Sequence, residues 1–155
     1  MTNPEKIAFK NKLKQLGLDL LRRRIATAQE AMKEAQEAAN SEEKSSAGDK
    51  YETGRAMGQL QKEMLGRQLA EYAKDVKALE AVFIDSICDR VRSGAFVRTD
   101  GMGFFVGAGL GKQEVEGHTI LFVSPVAPLA RSLESKKPGD SIVFNGVNRV
   151  IEEVF

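Results

Sequence analysis

Two carboxylates three positions apart, Asp49 and Glu52, stand in the stretch Ala47-Gly48-Asp49-Lys50-Tyr51-Glu52-Thr53. Carboxylates are hard oxygen ligands, and Mg²⁺ is usually held by one or two of them while it keeps several waters. A metal held in this way can generate a nucleophile from water and neutralise a phosphate under attack. The same Asp-x-x-Glu spacing also fits a capping box at a helix N-terminus. The residue types leave both uses open.

The remaining chemistry-bearing residues offer less. A single histidine, His118, excludes a His-rich metal centre and gives little basis for a Ser-His-Asp triad. A single cysteine, Cys88, excludes an internal disulfide and a multi-cysteine zinc site. Cys88 is expected to pack as a small apolar group near a helix end, and His118, beside Gly117, to be a loop residue. The run Gly107-Ala108-Gly109-Leu110-Gly111-Lys112 has the glycines of a phosphate loop without the Walker spacing. A phosphate loop must also lead into a helix N-terminus. This run leads through residues 113–117 into a strand pattern, so a connection between strands is the expectation.

The elements that position Asp49 and Glu52 read as two long helices. Asn3 is the expected N-cap, with Pro4 at the first helical position and Glu5 in the first turn. Apolar residues then fall at Phe9, Leu13, Leu16 and Leu20, and again at Leu21, Ile25, Ala28, Met32, Ala35 and Ala39. Steps of four and three make a heptad seam, with one change of phase between Leu20 and Leu21. Some 35 residues at about 1.5 Å each give a rod of roughly 50 Å. Small polar residues from Asn40 to Gly48 are expected to turn the chain. The second helix is expected to start at Asp49, with a seam of Met57, Leu60, Met64, Leu65, Leu69, Tyr72, Val76, Leu79 and Phe83. Two heptad arms around one turn predict an antiparallel coiled-coil hairpin over residues 1–83, with an acidic tip near residues 42–53. Residues 1–25 carry seven bases against two acids, and residues 26–55 carry seven acids against four bases. An acidic tip repels phosphates unless metal ions stand between.

From residue 84 the period changes. Residues 84–92 can finish the helix. Strand patterns then follow at 95–99, 103–106, 119–123, 141–144 and 147–154. Asp100-Gly101 and Asn145-Gly146 are hairpin-turn signals. Pro128 can open a short helix that Lys136-Lys137-Pro138-Gly139-Asp140 closes. The class is therefore α+β, with a small β-rich domain over residues 84–155. A net charge of +1 gives no bulk attraction to nucleic acid or membrane. No apolar run has the roughly 18 residues of a membrane span, and the N-terminus lacks a signal-peptide core. A cytoplasmic location is the default expectation.

A coiled-coil hairpin ahead of a small β-rich domain resembles the Gre transcript-cleavage factors of bacterial transcription. Gly48-Asp49-Lys50-Tyr51-Glu52 is similar to that family's tip motif, Gly-Asp-Leu-Lys-Glu. Ala127-Pro128-Leu129-Ala130-Arg131-Ser132-Leu133, followed by Lys136 and Gly139-Asp140, is similar to its Ser-Pro-Leu-Ala-Arg-Ala-Leu stretch. The resemblance implies a C-terminal domain of FKBP-like topology that docks on RNA polymerase through Ala127, Pro128, Leu129, Ala130 and Arg131. It implies a coiled coil that enters the secondary channel. Asp49 and Glu52 would there be the catalytic and metal residues, sharing a Mg²⁺ with the polymerase active site near the RNA 3′ end. It implies no membrane and no small-molecule substrate, no autonomous enzyme activity, and leaves a DNA contact open. The chain departs from the family after Glu52, reading Thr53-Gly54-Arg55-Ala56 where Asn-Ala-Glu-Tyr is usual. A secondary-channel regulator without cleavage activity is therefore the alternative. A coiled-coil adapter remains outside the resemblance, and the FKBP-like topology it implies suggests a prolyl isomerase. The latter needs an aromatic-lined pocket, which Phe96, Phe104, Phe105, Phe122 and Phe144 would supply only if they were not core.

Overall fold

Two long helices precede a six-stranded mixed sheet in the computed structural model, which describes residues 1–45 and 49–155. Residues 46–48, and the side chains of residues 42–51, lie outside the described residues, and with them much of the expected tip. The chain divides into two compact units, Asp19–Lys77 and Met1–Leu18 with Ala78–Phe155.

Helix α1 spans Asn3–Ser45. Its cap is Thr2 and not Asn3: the Thr2 hydroxyl accepts from the Glu5 amide at 3.3 Å, and the Thr2 amide donates to the Glu5 carboxylate at 2.6 Å. This reciprocal capping box holds the Glu5 carboxyl below the usual carboxylate range, chiefly through the Thr2 amide. At its far end α1 runs five residues past Asn40, where the sequence predicts a turn. Glu42, Glu43 and Lys44 are good helix formers, so the helix has no reason to stop among them.

Helix α2 spans Asp49–Glu80. In the Asp19–Lys77 unit, Met32 of α1 lies nearest Gly66 of α2, and Ala39 lies nearest Gly58. The α2 number rises as the α1 number falls, and both pairs centre on residues 48–49. Leu21, Ala28 and Ala35 are buried, as the α1 seam predicts. The α2 seam differs from the expected one. Gly54, Gly58, Leu65, Leu69, Tyr72 and Val76 are half-buried, whereas Met57, Leu60 and Met64 are exposed. Gly54 and Gly58 fall on the heptad positions that continue back from Leu65. A Cβ at Gly58 would meet the Ala39 methyl at 3.8 Å, so small residues face each other there while Met57, Leu60 and Met64 take the flank.

Around the sheet, α2 ends twelve residues before the expected limit, and residues 81–95 form no helix or strand. Phe83, expected on the seam, is 65% exposed. Strands β1 (Phe96–Thr99), β2 (Met102–Val106), β3 (Gly111–Val115), β4 (His118–Val123), β5 (Ser141–Phe144) and β6 (Val147–Val154) lie in the order β3-β4-β2-β1-β6-β5, and helix α3 spans Pro128–Leu133. Among the described strands only β2 and β4 pair in parallel, Phe105 against Phe122. Strand β3 is unforeseen. It joins β4 through Glu116-Gly117, both at positive φ, a two-residue turn of the same kind as Asn145-Gly146 between β5 and β6.

The sheet is covered on both faces, which is why β2 is buried at every residue. Phe104, Val97, Ile142 and Ile151 pack with Cys88, Val91, Ala130 and Leu133 on one side. On the other, Phe105 meets Phe122 with ring centroids 5.5 Å apart, and Phe9 of α1 stacks edge-on against Phe96 at 5.1 Å. Gly17 of α1 packs closely, since a Cβ there would lie 2.9 Å from a Leu79 methyl and 3.2 Å from a Leu110 methyl and would make them shift. Gly94 is tighter still. Its φ is +88°, and a Cβ would stand 2.1 Å from the Phe83 carbonyl oxygen. Gly94→Ala therefore lowers unfolding free energy by about 2–3 kcal/mol in urea titrations; a change under about 0.5 kcal/mol would contradict this packing.

Candidate functional site

Asp49 is the first residue of α2, and Glu52 falls in its first turn, exposed to solvent. The helix starts there because residues 45–48 read Ser-Ser-Ala-Gly, a turn composition, while Asp49-Lys50-Tyr51-Glu52 begins a helical one. Acidic side chains in a first turn complement the partial positive charge of the helix N-terminus. The Asp49 side chain lies outside the described residues. Among the described residues no three His, Cys, Asp or Glu side chains cluster as a metal cage. The donor set, two carboxylates on one helical turn, fits the chemistry of a Mg²⁺ ion that draws its remaining ligands from water or another molecule.

The second candidate stretch builds α3. Ala127 precedes it in extended conformation (φ −69°, ψ 150°), and Pro128 opens it with the φ it needs. The Arg131 amide donates to the Ala127 carbonyl at 3.0 Å. Ala130 and Leu133 are buried in the core, and Leu129 packs half-buried against it. Of the five residues named for docking, Pro128 and Arg131 are exposed, Ala127 and Leu129 are half-buried, and Ala130 faces inward. Val126, which sequence reasoning passed over, is 71% exposed beside them. An exposed valine next to an exposed proline and arginine is a surface a protein partner can use.

Sequence reasoning also missed a stripe of lysines. Lys6, Lys10 and Lys14 recur every four residues on one face of α1, within the unit that contains the sheet. Lys6 pairs with Glu153 of β6 at 2.8 Å and holds that carboxyl below its usual range. Lys14 donates to the Glu80 and Val82 carbonyls at 2.9 and 2.8 Å, satisfying the end of α2. Lys10 is fully buried. Its ammonium donates to the Ser86 carbonyl at 2.7 Å and approaches the Cys88 sulfur at 3.9 Å. Burial pushes its pKa down, against the smaller opposing effect of Cys88. The Arg92 Nε also donates to the Cys88 sulfur at 3.2 Å, so the thiol expected as a plain apolar filler lies between two cations. The i, i+4, i+8 spacing was the available signal, obscured because lysine stripes usually mark solvated faces.

His118 opens β4 and is exposed, where the sequence predicts a loop. Residues 107–110 connect β2 to β3, and no helix follows, as expected for a connection between strands. Phe96, Phe104, Phe105 and Phe122 are buried, and Phe144 packs against the core at its rim. No described helix is long and apolar enough to cross a membrane. No protein-family model matches the chain, and no curated protein matches it.

Proposed function

We propose that this chain is a Gre-like transcription elongation factor that binds bacterial RNA polymerase. In this reading α1 and α2 form an antiparallel coiled-coil hairpin that enters the secondary channel. The sheet and α3 form an FKBP-like domain that docks outside. Asp49 and Glu52 together complete a magnesium site in the polymerase's own active centre. The observation that carries it is the pairing of Ala39 with Gly58 and Met32 with Gly66. Both pairs are numbered symmetrically about residues 48–49, and Glu52 is exposed in the first turn of α2. The chain's resemblance to the Gre motifs at residues 48–52 and 127–133 supplies the partner.

The chemical division of labour follows from what the chain carries. Asp49 and Glu52 offer oxygens but too few ligands to hold a metal alone, so the site is shared. When bound there, Mg²⁺ supplies a water nucleophile at neutral pH and neutralises charge on the phosphodiester. Gly54 and Gly58 keep the helix pair slim beside the acids. Pro128, Arg131 and Val126 present the docking surface, which positions the tip without touching the reacting atoms.

The experiment adds the protein to stalled, backtracked polymerase complexes with 3′-labelled RNA. Release of short 3′ fragments above the polymerase's intrinsic rate is the expected result; no stimulation sinks the cleavage reading. The chain's Thr53-Gly54-Arg55-Ala56 favours one other outcome, a channel regulator without cleavage. That version shows as competition with a cleavage factor for the same polymerase, without fragments.

A further inference from the structure

On the face of the sheet that carries Phe105 and Phe122, one position is bare. Strand register puts Arg98 of β1, Gly103 of β2 and Ile120 of β4 side by side there, two residues along from Phe96, Phe105 and Phe122. Gly103 has no side chain to fill the space between its neighbours. That space opens into a hollow of about 460 Å³, within the range that holds small ligands. Phe9 and Phe96 give it an apolar side, and a Cβ at Gly103 would stand 2.6 Å from the Phe96 ring. The whole lining belongs to one unit, Met1–Leu18 with Ala78–Phe155.

The polar side of the hollow is acidic. Asp100, Glu116, Glu152 and Glu153 line it, and Arg98 is the one lining lysine or arginine. A β-bulge accounts for part of this. Arg98 is registered with Glu153 and Thr99 with Ile151, so Glu152 is the extra residue of β6. Consecutive strand residues ordinarily point to opposite faces. Here Glu152 and Glu153 both reach the Arg98 guanidinium, at 3.6 and 3.0 Å. The surrounding cations are already engaged. Lys6 of α1 lies on Glu153 at 2.8 Å, and the Met1 amino group acts on Glu153 as well. Lys12 of α1 lies on Glu116. Arg149 donates to the Asp100 carbonyl oxygen at 2.5 Å. The Asp100 carboxylate makes no ion pair among the described residues, and Glu152 has only its long contact to a shared Arg98.

We propose that this hollow binds a small organic cation with a flat apolar body. The body lies over Gly103 against Phe9 and Phe96, and the charged end is taken by Asp100 and Glu152. Two carboxylates short of donors accept hydrogen bonds from an ammonium or amidinium, and such charge-assisted bonds are the stronger kind. The aromatic rings add an attraction for positive charge that the protein already uses once, since the Lys6 ammonium stands 5.3 Å from the Phe155 ring centroid. Phosphate esters and carboxylates fit poorly, because they would meet Asp100 and Glu152 with no lining lysine or arginine left unpaired. The ligand is bound and not transformed. The site stands whether or not the chain acts on a polymerase.

Titration of the full, ¹⁵N-labelled chain with benzamidine, followed through its amide resonances, tests the proposal. Saturable shifts at Gly101, Gly103 and Gly117, with a Kd of about 1 mM or tighter, are the expected result. Benzamide has the same shape without the charge and binds at least tenfold more weakly. Benzoate carries the opposite charge and gives no saturable shift. Asp100→Ser combined with Glu152→Gln weakens benzamidine at least fivefold, and a circular dichroism melt confirms that the variant is folded. Benzamidine that gives no saturable shift overturns the proposal. So does benzamide or benzoate binding as tightly as benzamidine, or a folded double variant that binds benzamidine as the wild type does.

Discussion

Asp49→Asn and Glu52→Gln each reduce the release of RNA 3′ fragments from backtracked polymerase by about 100-fold or more, while polymerase binding is unchanged. Each substitution exchanges a charged oxygen ligand for a neutral amide of the same shape. Mg²⁺ takes few protein carboxylates, so losing one of two removes a large share of what the chain contributes. Removing a single group that stabilises developing charge in an active site typically costs ~10²–10³ in rate. Binding survives because the proposed docking surface, Pro128, Arg131 and Val126, lies in the other unit. Stability survives too. A first-turn carboxylate's interaction with a helix N-terminus is worth at most about 1 kcal/mol at an exposed position such as that of Glu52. Titrating fragment release against protein concentration separates the effects: a tip variant lowers the plateau, whereas a docking variant such as Arg131→Glu shifts the midpoint. Tip variants as active as the wild type would refute the roles given to Asp49 and Glu52.

Lys10 governs the second large effect. Lys10→Ala destabilises the sheet-bearing unit by about 3–5 kcal/mol, and Lys10→Met by about 1–3 kcal/mol. Alanine removes the fully buried stem beyond Cβ and leaves a cavity, and it also takes the Lys10 donor from the Ser86 carbonyl. Methionine keeps most of the stem and loses only the donor. The pH dependence distinguishes charge from packing. Burial depresses the folded-state pKa of Lys10 below its ordinary 10.5. Between the folded and unfolded pKa the unfolded chain binds more protons, so this contribution to stability rises with pH. It is fully present above the unfolded value and is lost as pH falls through the folded one. The wild type minus Lys10→Met difference in urea-unfolding free energy should therefore climb on the alkaline side. A difference independent of pH would show that Lys10 stays equally protonated in both states.

Much of this architecture was legible from periodicity and turn chemistry. The α+β class, the two long helices, the start of α3 and the bounds of β5 and β6 follow from local patterns that tertiary contacts do not override. Asn145-Gly146 marks its turn because those residues accept positive φ. The equivalent turn at Glu116-Gly117 was hidden, since glutamate is not a turn signal, and β3 was lost with it. The end of α2 was also beyond local reading. Residues 81–95 have helical composition in part, but Lys14 claims the Glu80 and Val82 carbonyls and the segment is drawn onto the sheet. The candidate site divides in the same way. That Asp49 and Glu52 stand at a helix start was readable from their spacing and the turn residues before them. That Ala130 faces inward while Val126 is exposed was not, because a six-residue helix has too few turns for its buried face to show.

By itself the order of residues determined which segments become helices and strands, where an acidic pair would open a helix, and how charge is graded along the first fifty-five positions. These depend on neighbours three or four positions away, or on single-residue preferences at turns. Only the tertiary structure decided which faces α2 and α3 bury. Met57, Leu60 and Met64 have the pattern of a core seam, yet glycines one position away let the helices approach more closely and the methionines were left outside. Lys10 has the chemistry of a surface residue, yet it is enclosed, with its ammonium on the Ser86 carbonyl seventy-six positions along the chain. Burial is set by which atoms are brought together, and that is a property of the folded whole.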